Sequence, residues 1–146
     1  LEAQVRAWLE DYPSYEGYLL ATTDAQIGQC YYRLWQHTRG ELRALTEPLM
    51  AVPEQLNLPP VASSSGVVIL GSGCRYQSAI EGCWYNRNPN TELCQWYPEQ
   101  RPRGLAMAQW ALLHADWQQA GTAHDLIPRY VQKDVGWKTL AEQPAP

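Results

Sequence analysis

The stretch that determines the fold of this chain is residues 17–35, Gly-Tyr-Leu-Leu-Ala-Thr-Thr-Asp-Ala-Gln-Ile-Gly-Gln-Cys-Tyr-Tyr-Arg-Leu-Trp. An apolar run, Tyr18 to Thr23, ends at Asp24 and is followed by a short turn. In the second run, two sets of side chains alternate along the chain. One set is Cys30, Tyr32 and Leu34, and the other is Gln29, Tyr31, Arg33 and Trp35. Because alternate side chains of a strand point to opposite faces, the stretch predicts a β-hairpin with a central first strand.

The rest of the chain predicts a mixed α/β fold. A helix over residues 1–12 ends at Pro13, a third strand covers Glu41–Glu47, and Val67–Leu70 is typical of a strand buried on both faces. The remaining predicted elements are short helices at 52–56 and 76–81, a strand at 92–97 and a helix at 103–119. This order is that of the ribonuclease-H-like half-domain, the repeating unit of the actin-like ATPase fold. It implies a mixed five-stranded sheet, with three antiparallel strands and then parallel ones, and flanking helices.

Composition limits the classes of function. The chain has 146 residues and a formal net charge of −4, which argues for one domain and against an autonomous nucleic-acid binder, although not against a subunit of an RNA-modifying assembly. No apolar run is long enough for a membrane span and no signal-peptide pattern is present. Because the chain begins at Leu1 within a helical pattern, we expect it to be a fragment or a processed chain.

The cysteines favour a reducing compartment. There are four, none of them in a Cys-x-x-Cys pair: Cys30, Cys74, Cys83 and Cys94. We interpret them as reduced core thiols of a cytoplasmic protein. The alternative is a secreted, Trp-rich binding module with disulfides, which a thiol count under denaturing conditions would reveal.

Asp24 and residues 71–73 are the candidate site. Asp24 ends the first strand, and Gly71-Ser72-Gly73 follows the buried fourth strand. A two-metal nuclease would need a second carboxylate at that position, so this class is excluded by ligand count. Asp24 is better explained as a turn residue that accepts backbone N–H groups. Gly71, Ser72 and Gly73 could face an anion, but a tight strand-to-helix turn is the favoured interpretation.

The sequence predicts no catalytic centre, no metal and no cofactor. His37 is expected in a turn, His114 on a helix and His124 in a loop, so none is paired at metal-ligand spacing. No nucleophile elbow or acid–base pair is visible.

Two later segments predict docking. The helix that starts near Arg103 has two adjoining apolar stripes, which implies that it packs against the sheet and against something else. The segment Ile127–Lys138 places Tyr130, Val131, Val135 and Trp137 among basic residues. Its apolar residues suggest docking onto a neighbouring surface, and its basic residues form either a phosphate contact or a solvated edge.

Three motifs together resemble the TsaB family, also called YeaZ, of tRNA threonylcarbamoyladenosine biosynthesis proteins. They are Asp24-Ala25 in the hairpin, the segment Val67–Gly73, and the pattern Pro128-x-Tyr130 followed by Val135-Gly136-Trp137-Lys138. The resemblance extends from Leu1 to about Leu140 and covers only the C-terminal half of the family. It therefore implies that residues 1–140 form a single C-terminal lobe of an actin-like ATPase-fold protein, with a disordered tail at 141–146.

The resemblance also implies a function. Members of this family are non-catalytic scaffolds for the paralogue TsaD, and with TsaE that assembly transfers a threonylcarbamoyl group onto tRNA. The resemblance implies a cytoplasmic protein that is not an enzyme and has no membrane contact. Its implied partners are TsaD and TsaE, and it would meet tRNA indirectly. A homodimer is a further possibility. The alternative is a glycoprotease-like peptidase, the family's old label, or a nucleotide-binding enzyme remnant on the same fold.

This chain departs from the family pattern at two positions. Gln26 stands where the family usually has Arg after Asp-Ala, and Gln132 stands where it has Arg in Pro-x-Tyr-x-Arg. Each change replaces a planar cation with a neutral amide; Lys133 is a candidate substitute for the second. Since a lobe separated from a larger body should have a bare contact surface, we expect an interface. Its candidate residues are Trp8, Tyr12, Tyr130, Lys133, Trp137 and Lys138.

Overall fold

A mixed β-sheet organises the computed structural model, which describes residues 1–61, 66–92, 94–114 and 121. In this part of the chain the strands are β1 Gly17–Asp24, β2 Cys30–Thr38, β3 Glu41–Ala44, β4 Leu49–Ala51, β5 Val67–Leu70 and β6 Gln95–Tyr97. The path across the sheet is β3-β2-β1-β5-β6, with β4 paired to β2. β1 runs antiparallel to β2 and parallel to β5, and β5 runs parallel to β6. The predicted hairpin and the mixed sheet are thus confirmed.

The edge beside β2 differs from the prediction, because two strands stand where one was expected. β3 pairs with Trp35–Thr38 and β4 pairs with Cys30–Tyr32, so the two lie end to end along one side of β2. Between them, the Thr46 hydroxyl accepts the Leu34 N–H at 3.0 Å. Pro48, which has no N–H to donate, separates the two strands. The sheet therefore has a sixth short strand.

The central strands are covered on both faces, as predicted. One face packs in a core that includes Leu20 of β1, Ile69 of β5 and Trp84. The other face, which carries Leu19 of β1, packs in a second core that includes Trp8. Leucines at successive positions therefore enter opposite cores, as the two-residue strand repeat requires.

Three α-helices flank the sheet in the described residues. They are α1 Glu2–Asp11, α2 Gln77–Arg87 and α3 Gly104–His114. Short 3-10 helices cover Pro53–Gln55 and Ser72–Tyr76. α2 is longer than the predicted helix at 76–81, because its buried Ile80 and Trp84 anchor a further turn in the core. Residues 115–119, where the last helix was predicted to continue, lie outside the described residues.

The helices are also short. Among residues 1–61, 66–92 and 94–114, none is long and apolar enough to cross a membrane.

Candidate functional site

The parallel pairing of β1 and β5 brings the predicted site residues together. Asp24 ends β1, and Gly71-Ser72-Gly73 directly follows β5, so both lie at the same edge of the sheet. The Asp24 N–H donates to Ser72 Oγ at 3.0 Å. In open α/β sheets, this edge is where ligands usually bind.

The carboxylate of Asp24 is engaged within the chain. Its Oδ1 accepts the Gln26 backbone N–H at 2.9 Å and the Tyr76 hydroxyl at 2.9 Å, and its Oδ2 accepts Arg75 Nη1 at 2.7 Å. The backbone hydrogen bond from Gln26 and the Arg75 guanidinium hold the pKa of Asp24 below its ordinary value. A carboxylate with a lowered pKa and three donors is a weak general base.

Sequence reasoning missed Arg75 and Tyr76. They are 51 and 52 positions from Asp24, and they reach it because the 3-10 helix Ser72–Tyr76 turns back over the end of β1. The signal available in the sequence was weak: an Arg-Tyr pair just after a Gly-Ser-Gly turn. Gln26 contributes its backbone N–H, and its φ of 62° lies in the left-handed region, as expected for a tight turn.

Gly71 and Gly73 permit a close approach of backbones. At Gly71, where φ is +94°, an added Cβ would overlap the Thr22 carbonyl oxygen and lie 2.5 Å from Gln4 Nε2. At Gly73 it would lie 2.5 Å from Thr22 Cβ. The Gly71 N–H also donates to the Tyr97 carbonyl at 3.0 Å. These contacts agree with the predicted tight strand-to-helix turn. Because the Gly71 N–H already donates to Tyr97, it is not available to bind an anion.

A shallow groove of about 320 Å³ lies beside this turn. Arg75 and Arg101 contribute positive charge to it, and Trp96 forms an apolar wall. Glu99 also lines the groove and lies 3.6 Å from Arg101. The arrangement offers donors for an anion but no nucleophile with an adjacent base. In the described ranges, no group of three or more His, Cys, Asp or Glu side chains could hold a metal ion.

Two of the predicted interface residues lie in or directly after α1, and the structure buries one of them. Trp8 of α1 is only 2% exposed. Its ring points into the core, where it contacts the rings of Tyr12, Tyr15 and Tyr97. Tyr12 is 44% exposed and stacks on Trp8 with ring centroids 4.4 Å apart. The other candidates lie outside the described residues: Tyr130, Lys133, Trp137 and Lys138.

The prediction that His37 lies in a turn was wrong. His37 lies in β2 and not in a turn; it is buried, and its Nδ1 is 2.5 Å from the Tyr15 carbonyl oxygen. Strand β2 continues to Thr38, past the expected end of the hairpin, because β3 pairs with it up to that residue. His114 is the last residue of α3, as predicted for a helical histidine. His124 lies outside the described residues.

The chain has a mixed α/β fold, in which helices flank a sheet of antiparallel and parallel strands. No family model and no curated protein matches the sequence. Solved structures do match. One is described as an uncharacterized protein with similarity to peptidase YEAZ from Pseudomonas aeruginosa, with TM-score 0.60 and 18% identity, over 89% of this chain and 55% of that chain. Another is YeaZ from Pseudomonas aeruginosa, with TM-score 0.52 and 18% identity, over 76% of this chain and 48% of that chain.

The chain therefore spans about half the length of the solved structures that it matches. At this level of identity the likeness shows a shared fold. It agrees with the expectation, drawn from the sequence motifs, of a partial YeaZ-like protein.

Proposed function

We propose that this chain is a non-catalytic scaffold lobe of a complex that forms threonylcarbamoyladenosine on tRNA. The observation that carries the proposal is the YeaZ-like fold over 89% of the chain. The hairpin with Asp24-Ala25 and the buried segment Val67–Gly73 occupy adjacent strands of that fold. In this proposal the chain works in the cytoplasm, associates with TsaD and TsaE, and meets tRNA through the assembly.

The chemistry at the end of β1 supports a scaffold more than an enzyme. Asp24 is the acid at the edge of the sheet where ligands bind in such folds, yet Arg75, Tyr76 and the Gln26 N–H occupy its oxygens. These bonds join the hairpin to the 3-10 helix Ser72–Tyr76, which precedes α2. The carboxylate thus serves as a brace between two elements.

Reconstitution of the modification reaction tests the proposal. Purified TsaD and TsaE, tRNA and the small-molecule substrates are combined with and without this chain, and the modified nucleoside is measured by mass spectrometry. We expect the chain to raise the yield and to co-elute with TsaD in size-exclusion chromatography. We expect Asp24→Asn to leave the yield within about twofold of wild type, because a brace is not a reacting group.

Two outcomes would contradict the proposal. A chain that neither binds TsaD nor changes the yield is not a scaffold for it. A loss of activity of about a hundredfold in Asp24→Asn, with an unchanged melting temperature, would assign Asp24 a reacting role.

The second candidate is a peptidase-like or nucleotide-binding remnant. It is favoured by the description of one matching structure as similar to a peptidase, and by the two arginines in the groove beside Trp96. Calorimetric titration with ATP–magnesium and, separately, with zinc distinguishes it. Tight binding of either would favour the enzyme class, whereas the scaffold proposal expects no heat of binding.

A further inference from the structure

Helix α3 has one face that packs and one that does not. Ala106 is buried, and Trp110 lies beneath the Arg6 guanidinium, 4.9 Å from its ring centroid, so this side faces α1. On the other side, Leu105 and Leu112 are 67% and 71% exposed, with exposed Ala108 between them. Positions i, i+3 and i+7 fall on one side of a helix. We call these three residues the outer face of α3.

The outer face has the composition of a covered surface. From Gly104 to Leu113 the helix contains no Asp, Glu, Lys or Arg, whereas a helix that faces water normally carries charges on that side. An ion pair also joins the start of the helix to α1. Arg103 at its start makes two hydrogen bonds with the Asp11 carboxylate of α1, at 2.6 and 3.1 Å.

We propose that the outer face of α3 is the docking site for residues 122–140 of this same chain. This segment carries apolar residues between charged ones: Leu126, Ile127, Tyr130, Val131, Val135, Trp137 and Leu140. It follows α3 along the chain, so binding is intramolecular and needs no partner at high concentration. The proposal is independent of the function proposed above.

The length of the connection allows the segment to fold back. Sixteen positions separate His114 from Tyr130, and an extended chain of that length reaches about 50 Å. Helix α3, with 11 residues, is about 16 Å long at 1.5 Å per residue. The length of the connection therefore lets Tyr130 reach either end of the outer face.

Limited proteolysis with trypsin tests the proposal on the full chain. The segment contains three cleavage sites, Arg129, Lys133 and Lys138. We expect the double variant Leu105→Gln/Leu112→Gln to be cut at these sites at least about fivefold faster than wild type, because the apolar contact is lost. Gln is nearly as good a helix former as Leu, so the melting temperature should change little.

The matched control is Ile27→Gln. Ile27 is 62% exposed at the tip of the hairpin, so this change also removes a bare aliphatic side chain but not one on α3. Its cleavage rates should equal those of wild type. Equal rates in wild type and in the α3 double variant would overturn the proposal.

Photo-crosslinking identifies the occupant directly. A benzophenone amino acid replaces Leu112, and another sample carries it at Ser78, an exposed position on α2. We expect crosslinks from position 112 to residues 122–140 within one chain, and none of these from position 78. Crosslinks between isotope-labelled and unlabelled chains would show that a second copy covers the face, and the absence of crosslinks to the segment would likewise reject the proposal.

Discussion

At the residue scale, the end of β1 is held together by contacts that glycine makes possible. The 3-10 helix Ser72–Tyr76 lies close enough to deliver Arg75 and Tyr76 to Asp24 because Gly71 and Gly73 have no side chains to separate it from Thr22. The same closeness lets the Thr22 hydroxyl donate to the Leu70 carbonyl at 2.9 Å. The glycines thus determine the geometry, and the polar residues stabilise it.

Substitution of Gly71 tests this account. We expect Gly71→Ala to lower the free energy of unfolding by about 2–4 kcal/mol, because the new Cβ would overlap the Thr22 carbonyl oxygen and meet Gln4. Urea denaturation followed by circular dichroism measures the change.

Gly28→Ala is the control for that experiment. Gly28 has φ of +72°, but nothing lies within 4 Å of its added Cβ, so only the backbone cost of about 1 kcal/mol remains. Equal losses in the two variants would mean that close packing at Gly71 is unimportant.

At the element scale, the helices contribute through the side chains that they bury. α2 enters the core through Ile80 and Trp84, both 0% exposed, while Gly82 lies on its solvent side with open space around it. The last turn of α2 is tied to a neighbouring loop by Asn88, whose Oδ1 accepts the Val61 N–H at 2.7 Å. A substitution on the solvent face of this helix can therefore raise the stability of the protein without disturbing the packing of the core.

We expect Gly82→Ala to raise the free energy of unfolding by about 0.5–1 kcal/mol, because alanine restricts the unfolded chain and favours the helix. Gly40→Ala is the comparison: its surroundings are equally open, but φ of +78° makes the same substitution unfavourable. Chemical denaturation of both variants should give changes of opposite sign. A destabilised Gly82→Ala would indicate an unrecognised contact at that position.

At the scale of the whole molecule, buried thiols pack with aromatic and aliphatic side chains in one of the two cores, the one that contains Leu20, Ile69 and Trp84. Cys30 and Cys74 are buried, Cys83 and Cys94 are partly exposed, and all four are free in the structure. Burial raises the pKa of Cys30 and of Cys74 to about 11, from an ordinary value of 9.0. Two units correspond to about a hundredfold smaller thiolate fraction at neutral pH.

We therefore expect two kinetic classes when the native chain reacts with a thiol reagent at about pH 8. Cys83 and Cys94 should react first, and Cys30 and Cys74 should react at least about a hundredfold more slowly, because burial both suppresses the thiolate and blocks access. The double variant Cys83→Ser/Cys94→Ser should lose the rapid phase alone. After denaturation of the wild-type protein, four thiols should be counted; a lower count would favour the secreted, disulfide-bonded alternative.

The hairpin, the buried strand Val67–Leu70 and the mixed sheet were determined by the sequence itself, because a two-residue repeat and a β-branched apolar run are local signals. The contacts of Arg75 and Tyr76 with Asp24, the burial of Trp8 and the exposure of Leu105 and Leu112 on α3 became visible only in the folded chain. Each of these depends on which distant segments become neighbours. Local periodicity predicts the face on which a side chain lies, but parallel pairing and helix packing determine what it meets there.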